Sequence, residues 1–231
     1  MIHSFGTCSS PFRIRLLQAL FVPGLVVLAS CSSIHTDTNP NDAIRQKVHW
    51  SFEKRAVTIR VRADASLNRS DGRAHTLVVG VLQLRDPNGL IPLAENPDRA
   101  METLAAGKGG PGILEVRRYV VPPGATGEVT LDRLRHARYV GVIAGYSAYN
   151  PKTDILLRPL PVRVKRSGFI FRSDHDRPAH AVVQILLGSR HLLGVNILKP
   201  GHDKQATGKK KPPAARPAPR IRPLTGGDRP S

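Results

Sequence analysis

The amino-acid sequence predicts a mainly β protein, a β-sandwich with one short inserted helix, and three observations carry that prediction. Val57, Ile59, Val61 and Ala63 alternate with Thr58, Arg60, Arg62 and Asp64, the period-two pattern of a strand with one wet face. Residues 76–84 (TLVVGVLQL) are apolar on both faces, as in a more enclosed strand. Helix-start and helix-stop signals frame a single stretch, so many short strands with one helix argue a sandwich.

In chain order, the first two strands flank Ser66-Leu67-Asn68-Arg69-Ser70-Asp71-Gly72-Arg73, a polar loop rich in turn formers. The helix follows: Asn96 caps it, Pro97 suits its first position, Asp98 complements the positive end of its dipole, and Gly107 closes it. Met101 and Leu104 supply its apolar edge. Further strands are expected at 114–121, 127–131, 139–149, 156–164, 181–187 and 191–198, with Gly188-Ser189-Arg190 turning the last two into a hairpin. Pro159 and Pro161 lack a ladder donor and place 156–164 at a sheet edge. Gly141 and Gly145 within one strand point to close packing or a bulge.

The N-terminal thirty residues have the organisation of an export signal. Arg13 and Arg15 supply positive charge, no acidic residue precedes Asp37, and Leu16 to Leu28 is apolar apart from Gln18. That run is shorter than the roughly 20 residues a membrane-spanning helix needs. It ends in Leu28-Ala29-Ser30-Cys31, which resembles a lipobox: residues 28–30 precede the cut and the Cys31 thiol receives a diacylglyceryl group. With Cys8 inside the signal and Cys31 acylated, no cysteine is left for a disulfide or a nucleophile. The expected organisation is a signal peptide over 1–30, a lipidated tether over 31–48, a sandwich over 49–198 and a basic Pro-rich tail over 199–231, disordered or partly polyproline. The sandwich span of about 150 residues is long enough for a real hydrophobic core. Ser32 stands where aspartate would favour the inner membrane, so bacterial sorting rules favour the outer one.

Charge and motifs then bound the chemistry. The chain has 35 basic and 17 acidic residues, a net charge of +18, with nine basic and two acidic residues from Lys199 onward. For an exported, lipid-anchored chain the acidic neighbours are anionic lipid headgroups, peptidoglycan or the acidic face of a partner, and not nucleic acid. No G-x-S-x-G elbow and no H-E-x-x-H is present, which argues against an enzyme. Asp174-His175-Asp176 with His180 is the best metal candidate, but its spacing fits a solvated loop better than any metal motif. Gly107-Lys108-Gly109-Gly110-Pro111-Gly112 follows a helix instead of preceding one, so it is a connector and not a phosphate loop. No cofactor is expected beyond the diacylglycerol and acyl chain on Cys31.

Several phrases in series resemble one family. After the lipobox come Ala63-Asp64-Ala65-Ser66-Leu67-Asn68, a short polar loop, and an apolar strand closing in Leu82-Gln83-Leu84-Arg85-Asp86. Val121-Pro122-Pro123-Gly124 then leads through Glu128-Val129-Thr130-Leu131 to Ala137-Arg138-Tyr139-Val140-Gly141-Val142-Ile143-Ala144-Gly145-Tyr146. Over roughly residues 28–198 this order resembles the TssJ family, the outer-membrane lipoprotein of the bacterial type VI secretion system. The resemblance implies a transthyretin-like β-sandwich, no enzymatic activity, and docking to the periplasmic part of a TssM-like inner-membrane protein within a larger membrane complex. It also implies that the loop between the first two strands is a partner contact, with Asn68, Arg69, Asp71 and Arg73 as candidates. The long, glycine-rich stretch 95–112 and the basic tail depart from the family pattern. A periplasmic ligand-binding sandwich and a lipoprotein that grips peptidoglycan through its basic tail are the alternatives.

Overall fold

The computed structural model describes residues 42–163, 166–167, 173–174, 177–198 and 219–224. Two sheets face each other. In the first, β1 (Glu53–Ala63) runs antiparallel to β4 (Thr126–Arg133) and parallel to β11 (Ala181–Leu187), which pairs in turn with β12 (Leu192–Leu198). The second is antiparallel throughout. It comprises β2 (Leu77–Leu84), β3 (Ile113–Val121), β5 (Tyr139–Ala144), β6 (Ile155–Pro159) and, beside β3, β13 (Arg222–Pro223). Short ribbons, β7 (Val162–Arg163) with β10 (Arg177–Pro178) and β8 (Arg166–Ser167) with β9 (Ser173–Asp174), lie between β6 and β11 in the chain.

Alternation determines what each strand buries. Val57, Ile59 and Val61 of β1 and Val183, Ile185 and Leu187 of β11 meet Val79 and Val81 of β2 and Val140, Val142 and Ala144 of β5 in one apolar core. The other face of the second sheet is covered too. Leu82, Leu84 and Ile143 form a second cluster with Leu90, Leu93, Ala100 and Leu104 from α2 (Ile91–Glu95), α3 (Pro97–Ala106) and the 3₁₀ turn Pro87–Leu90. β2 is therefore enclosed on both faces, as its sequence predicts. α3 has the expected caps: the Asn96 side chain accepts from the backbone N–H groups of Asp98 and Arg99, and Gly107 sits at φ +67°. Gly80 in β2 and Gly145 just past β5 let this helix approach. A Cβ at Gly80 would fall 2.7 Å from Leu104 Cδ2, and one at Gly145 3.0 Å from Leu104 Cδ1.

The structure corrects several expectations. The fold does not begin at residue 49. α1 (Asp42–Lys47) carries Arg45, buried beneath the surface with its Nε donating to the Leu160 carbonyl at 3.3 Å, and Trp50 Nε1 donates to the Arg45 carbonyl at 2.9 Å. Nor does it end at 198, because residues 219–224 of the tail add β13 to the second sheet. The strand expected over 139–149 stops at Ala144. Asn150 and Pro151 instead start a one-turn helix, α4 (Pro151–Asp154), with the Asn150 side chain accepting from Lys152 N. The strand expected over 156–164 breaks at Leu160-Pro161; β6 does occupy a sheet edge, and β7 leaves to pair with β10. More than one helix is inserted, since α2 and α4 accompany α3 between strands, and α1 precedes β1.

Candidate functional site

Strand directions gather one set of loops. β1 ends at Ala63 opposite Leu187, the end of parallel β11, while β2 begins and β3 ends at the paired residues Leu77 and Val121. The connections 64–76, 122–125, 145–150 and 188–191 consequently emerge at the same end of the sandwich. α1, Trp50 and the start of β1, where Glu53 pairs with Arg133, lie at the other end. The eleven residues of β1 separate the two, roughly 35 Å at ~3.3 Å per residue.

The loop 64–76 is fastened at each step. The Asp64 carboxylate accepts from the Ser66 backbone N–H and hydroxyl, both at 2.7 Å, and these bonds hold its pKa below the ordinary carboxylate value. Leu67 is fully buried and plugs the end of the core. Asn68, at φ +48°, is buried as well; its amide donates to the Thr76 carbonyl at 3.3 Å and its oxygen accepts from the Ser147 N–H at 2.9 Å. Asn68 thus shapes the loop from inside and does not present a free side chain to a partner. The Arg69 N–H donates to Ser189 O at 2.7 Å, tying the loop to the β11–β12 turn. Beyond it, Ser70 and Arg73 exchange backbone hydrogen bonds of 3.0 and 2.9 Å around Asp71-Gly72, whose φ angles of +50° and +76° make a tight reverse turn. Arg69, Asp71 and Arg73 point outward and are exposed.

Sequence reasoning missed the neighbours of this tip. Arg190 and His191 are exposed on the turn that carries Ser189, so they join Arg69 and Arg73 on a predominantly basic rim. Ser189 and Arg190 are legible as a hairpin turn, but only the parallel β1–β11 pairing brings that turn to the loop. Two buried groups lock this end. Tyr146 Oη donates to the Gly188 carbonyl at 3.0 Å, and the buried Asp154 carboxylate accepts from Leu192 N at 3.1 Å and Asn150 N at 2.8 Å. The result is a rigid platform with an exposed charged tip, suited to recognition.

At the opposite end, Glu53 Oε2 accepts from the buried Arg133 guanidinium at 2.6 Å and Glu53 Oε1 lies 2.8 Å from His180 Nε2. Burial raises the Glu53 pKa, but hydrogen bonds from His180 and Arg133 outweigh it and hold the carboxyl below its ordinary value. Of the sequence-level metal candidate, His180 serves this ion-pair cluster, while His175 and Asp176 lie outside the described residues. Among the described residues no three His, Cys, Asp or Glu side chains converge as a metal site. Leu28, Ala29, Ser30 and Cys31 also lie outside the described residues, and no described helix is long and apolar enough to cross a membrane.

The family model described as type VI secretion lipoprotein (T6SS-SciN; VasD, EvfM, TssJ, VC_A0113) matches residues 55–170, just over half of the chain. The chain belongs to this family. As a family member it is a non-enzymatic lipoprotein of the type VI secretion system, held at the periplasmic face of the outer membrane. The match begins in β1 and includes the whole of loop 64–76 and the α2–α3 insertion. Among solved structures, the T6SS lipoprotein TssJ1 from Pseudomonas aeruginosa shares 19% identity at a TM-score of 0.44, over 64% of this chain and 97% of its own. Serratia marcescens Lip, a membrane-bound component of the type VI secretion system, shares 22% identity at a TM-score of 0.43, over 62% of this chain and 96% of its own. These likenesses are shallow, and the assignment rests on the family model. No curated protein matches the chain.

Proposed function

We propose that this lipoprotein works as an anchored adaptor. Residues 1–30 are removed, Cys31 carries diacylglycerol and an acyl chain, and the tether enters the sandwich, whose connectivity is transthyretin-like, at the α1 end. Multiple acyl chains give the stable membrane attachment that one chain does not. The opposite end presents Arg69, Asp71 and Arg73 to the periplasmic part of a TssM-like inner-membrane partner, with Arg190 and His191 widening the same rim. The observation that carries this reading is the placement of the loops some 35 Å along β1 from the end that holds α1 and Trp50, the N-terminal end of the described residues. A lipid at one end would leave the other free to reach into the periplasm. The basic rim favours an acidic face on the partner, which speeds encounter and weakens with salt.

Co-purification of the full-length lipoprotein with the partner's periplasmic domain tests the assignment. Reversing charge at both Arg69 and Arg73 (to Glu) is expected to weaken capture at least about tenfold, a change of about 1.4 kcal/mol, with the thermal melt unchanged. Undiminished capture by the doubly reversed chain would remove the loop from the interface.

A further inference from the structure

Six residues of the basic tail are docked onto the sandwich, and the seat they occupy is shaped for them. Twenty residues separate Leu198, at the β12 edge, from Pro219. At ~3.3 Å per residue that length readily reaches the far edge, where β3 lies. Ile221 packs against the main core above Gly127 of β4; a Cβ at position 127 would stand 2.8 Å from Ile221 Cγ1, so glycine opens the notch that receives it. Arg222 lies opposite Val120 and Pro223 opposite Tyr119, and the Leu224 N–H donates to the Arg118 carbonyl at 2.9 Å. Because Leu224 N–H faces β3, strand alternation turns the Pro223 nitrogen outward. The missing donor of proline thus falls on the outer edge, where a further strand would need it. Pro219 and Arg220 lie beside Thr76, at the base of loop 64–76.

We propose that the β3 edge and the notch over Gly127 form an acceptor site for an extended peptide bearing a branched aliphatic side chain, and that residues 219–224 of this chain are its resident ligand, docking reversibly. Main-chain hydrogen bonds to β3 supply affinity and the notch supplies selectivity, the logic of strand addition. Tethering raises the effective concentration of the segment to about 1 mM. A segment that binds in trans at about 100 μM would then be docked about 90% of the time. The site is exchangeable at that occupancy, and its opening exposes the unpaired N–H and C=O groups of β3 to another strand. This inference is independent of the partner assigned to loop 64–76.

The test uses full-length chains and a fluorescent peptide spanning residues 217–226. Ile221→Asp empties the notch of its own ligand, so this variant should bind the peptide about tenfold more tightly than the unaltered chain, whose site is filled in cis. Gly127→Val fills the notch from below: it should not bind the peptide, and the Leu224 amide should exchange with solvent about tenfold faster. Protected β2 amides in both variants report that the sandwich is intact. The proposal is overturned if the peptide binds the unaltered and Ile221→Asp chains equally, binds neither, or binds Gly127→Val as well as Ile221→Asp.

Discussion

The side-chain oxygen of Asn68 accepts both the backbone N–H of Ser147 at 2.9 Å and its hydroxyl at 3.1 Å, joining loops 79 residues apart in the chain. A residue that reads as a surface contact is therefore the internal pin of the candidate site. Asn68→Ala strands a buried N–H and forces alanine to φ +48°, so it should cost about 2–4 kcal/mol in urea denaturation. Asn68→Asp retains an acceptor and tolerates the left-handed backbone, and should cost less. If partner capture falls for Asn68→Ala in step with stability, the residue acts through the shape of the loop.

Tyr146 and Tyr149 make opposite predictions, although Tyr146 is buried and Tyr149, itself half-buried, has a hydroxyl shielded from solvent. Tyr146 donates to Gly188 O, whereas the buried Tyr149 hydroxyl has no hydrogen-bond partner among the described residues. Tyr146→Phe should destabilise by about 1–2 kcal/mol, and Tyr149→Phe should be neutral or slightly stabilising, since an orphaned hydroxyl is a desolvation cost. Burial, with the Asp154 charge adding to it, raises both phenols above their ordinary value of 10.0, Tyr149 to about 12. Their neutral forms favour the folded state, so stability is retained below pH 10 and falls as pH rises from there towards 12. In the Tyr149→Phe chain that alkaline loss should be smaller, as thermal melts across this range would show.

Glu53 sets the acid limit of the other end. Its folded pKa lies below the ordinary 4.5 because the bonds from His180 and Arg133 outweigh burial. The stabilisation is accordingly complete above pH 4.5 and is lost as pH falls through the lower folded value. Glu53→Gln should flatten that acid dependence. At neutral pH it should also cost roughly 1–3 kcal/mol, because it leaves the buried Arg133 without its counter-charge. That range is less than for a fully enclosed pair, since Glu53 is 38% exposed and partly screened.

What could be read in advance follows the range of the forces involved. The alternation in β1, the two-faced apolar run of β2 and the Asn96-Pro97 and Gly107 caps of α3 are local, and each matches the structure. Gly141 and Gly145 mark close packing that is present, with Gly141 beneath Leu84 and Leu90 and Gly145 against Leu104. Non-local partners left no such mark. The parallel β1–β11 pair, which brings Arg190 to Arg69, joins strands more than a hundred residues apart. Ile221 sits in a tail whose composition argues against a core, and only the notch at Gly127 shows why six of its residues dock. Asn68 reads as a polar turn residue in a polar loop, and its burial depends on Ser147 and Thr76, neither of which is distinctive in sequence.

Replacing the cysteine of the lipobox separates anchoring from folding. Cys31 precedes Asp42, the first described residue, by eleven positions, and the core clusters of the sandwich are built from described residues beyond it. Cys31→Ser should therefore leave the thermal melt of the domain unchanged while moving the protein from the outer-membrane fraction to the soluble periplasm. Each buried methylene of an acyl chain contributes about 0.8 kcal/mol to membrane attachment, so losing all the chains is far more than the basic tail can replace by headgroup attraction, at about 1 kcal/mol per residue near the surface. The tail adds a sharper check, because its attraction is screened by salt. If Cys31→Ser protein stays on membranes in low salt but is released at high salt, the tail holds it. If it stays at both, anchorage does not run through Cys31.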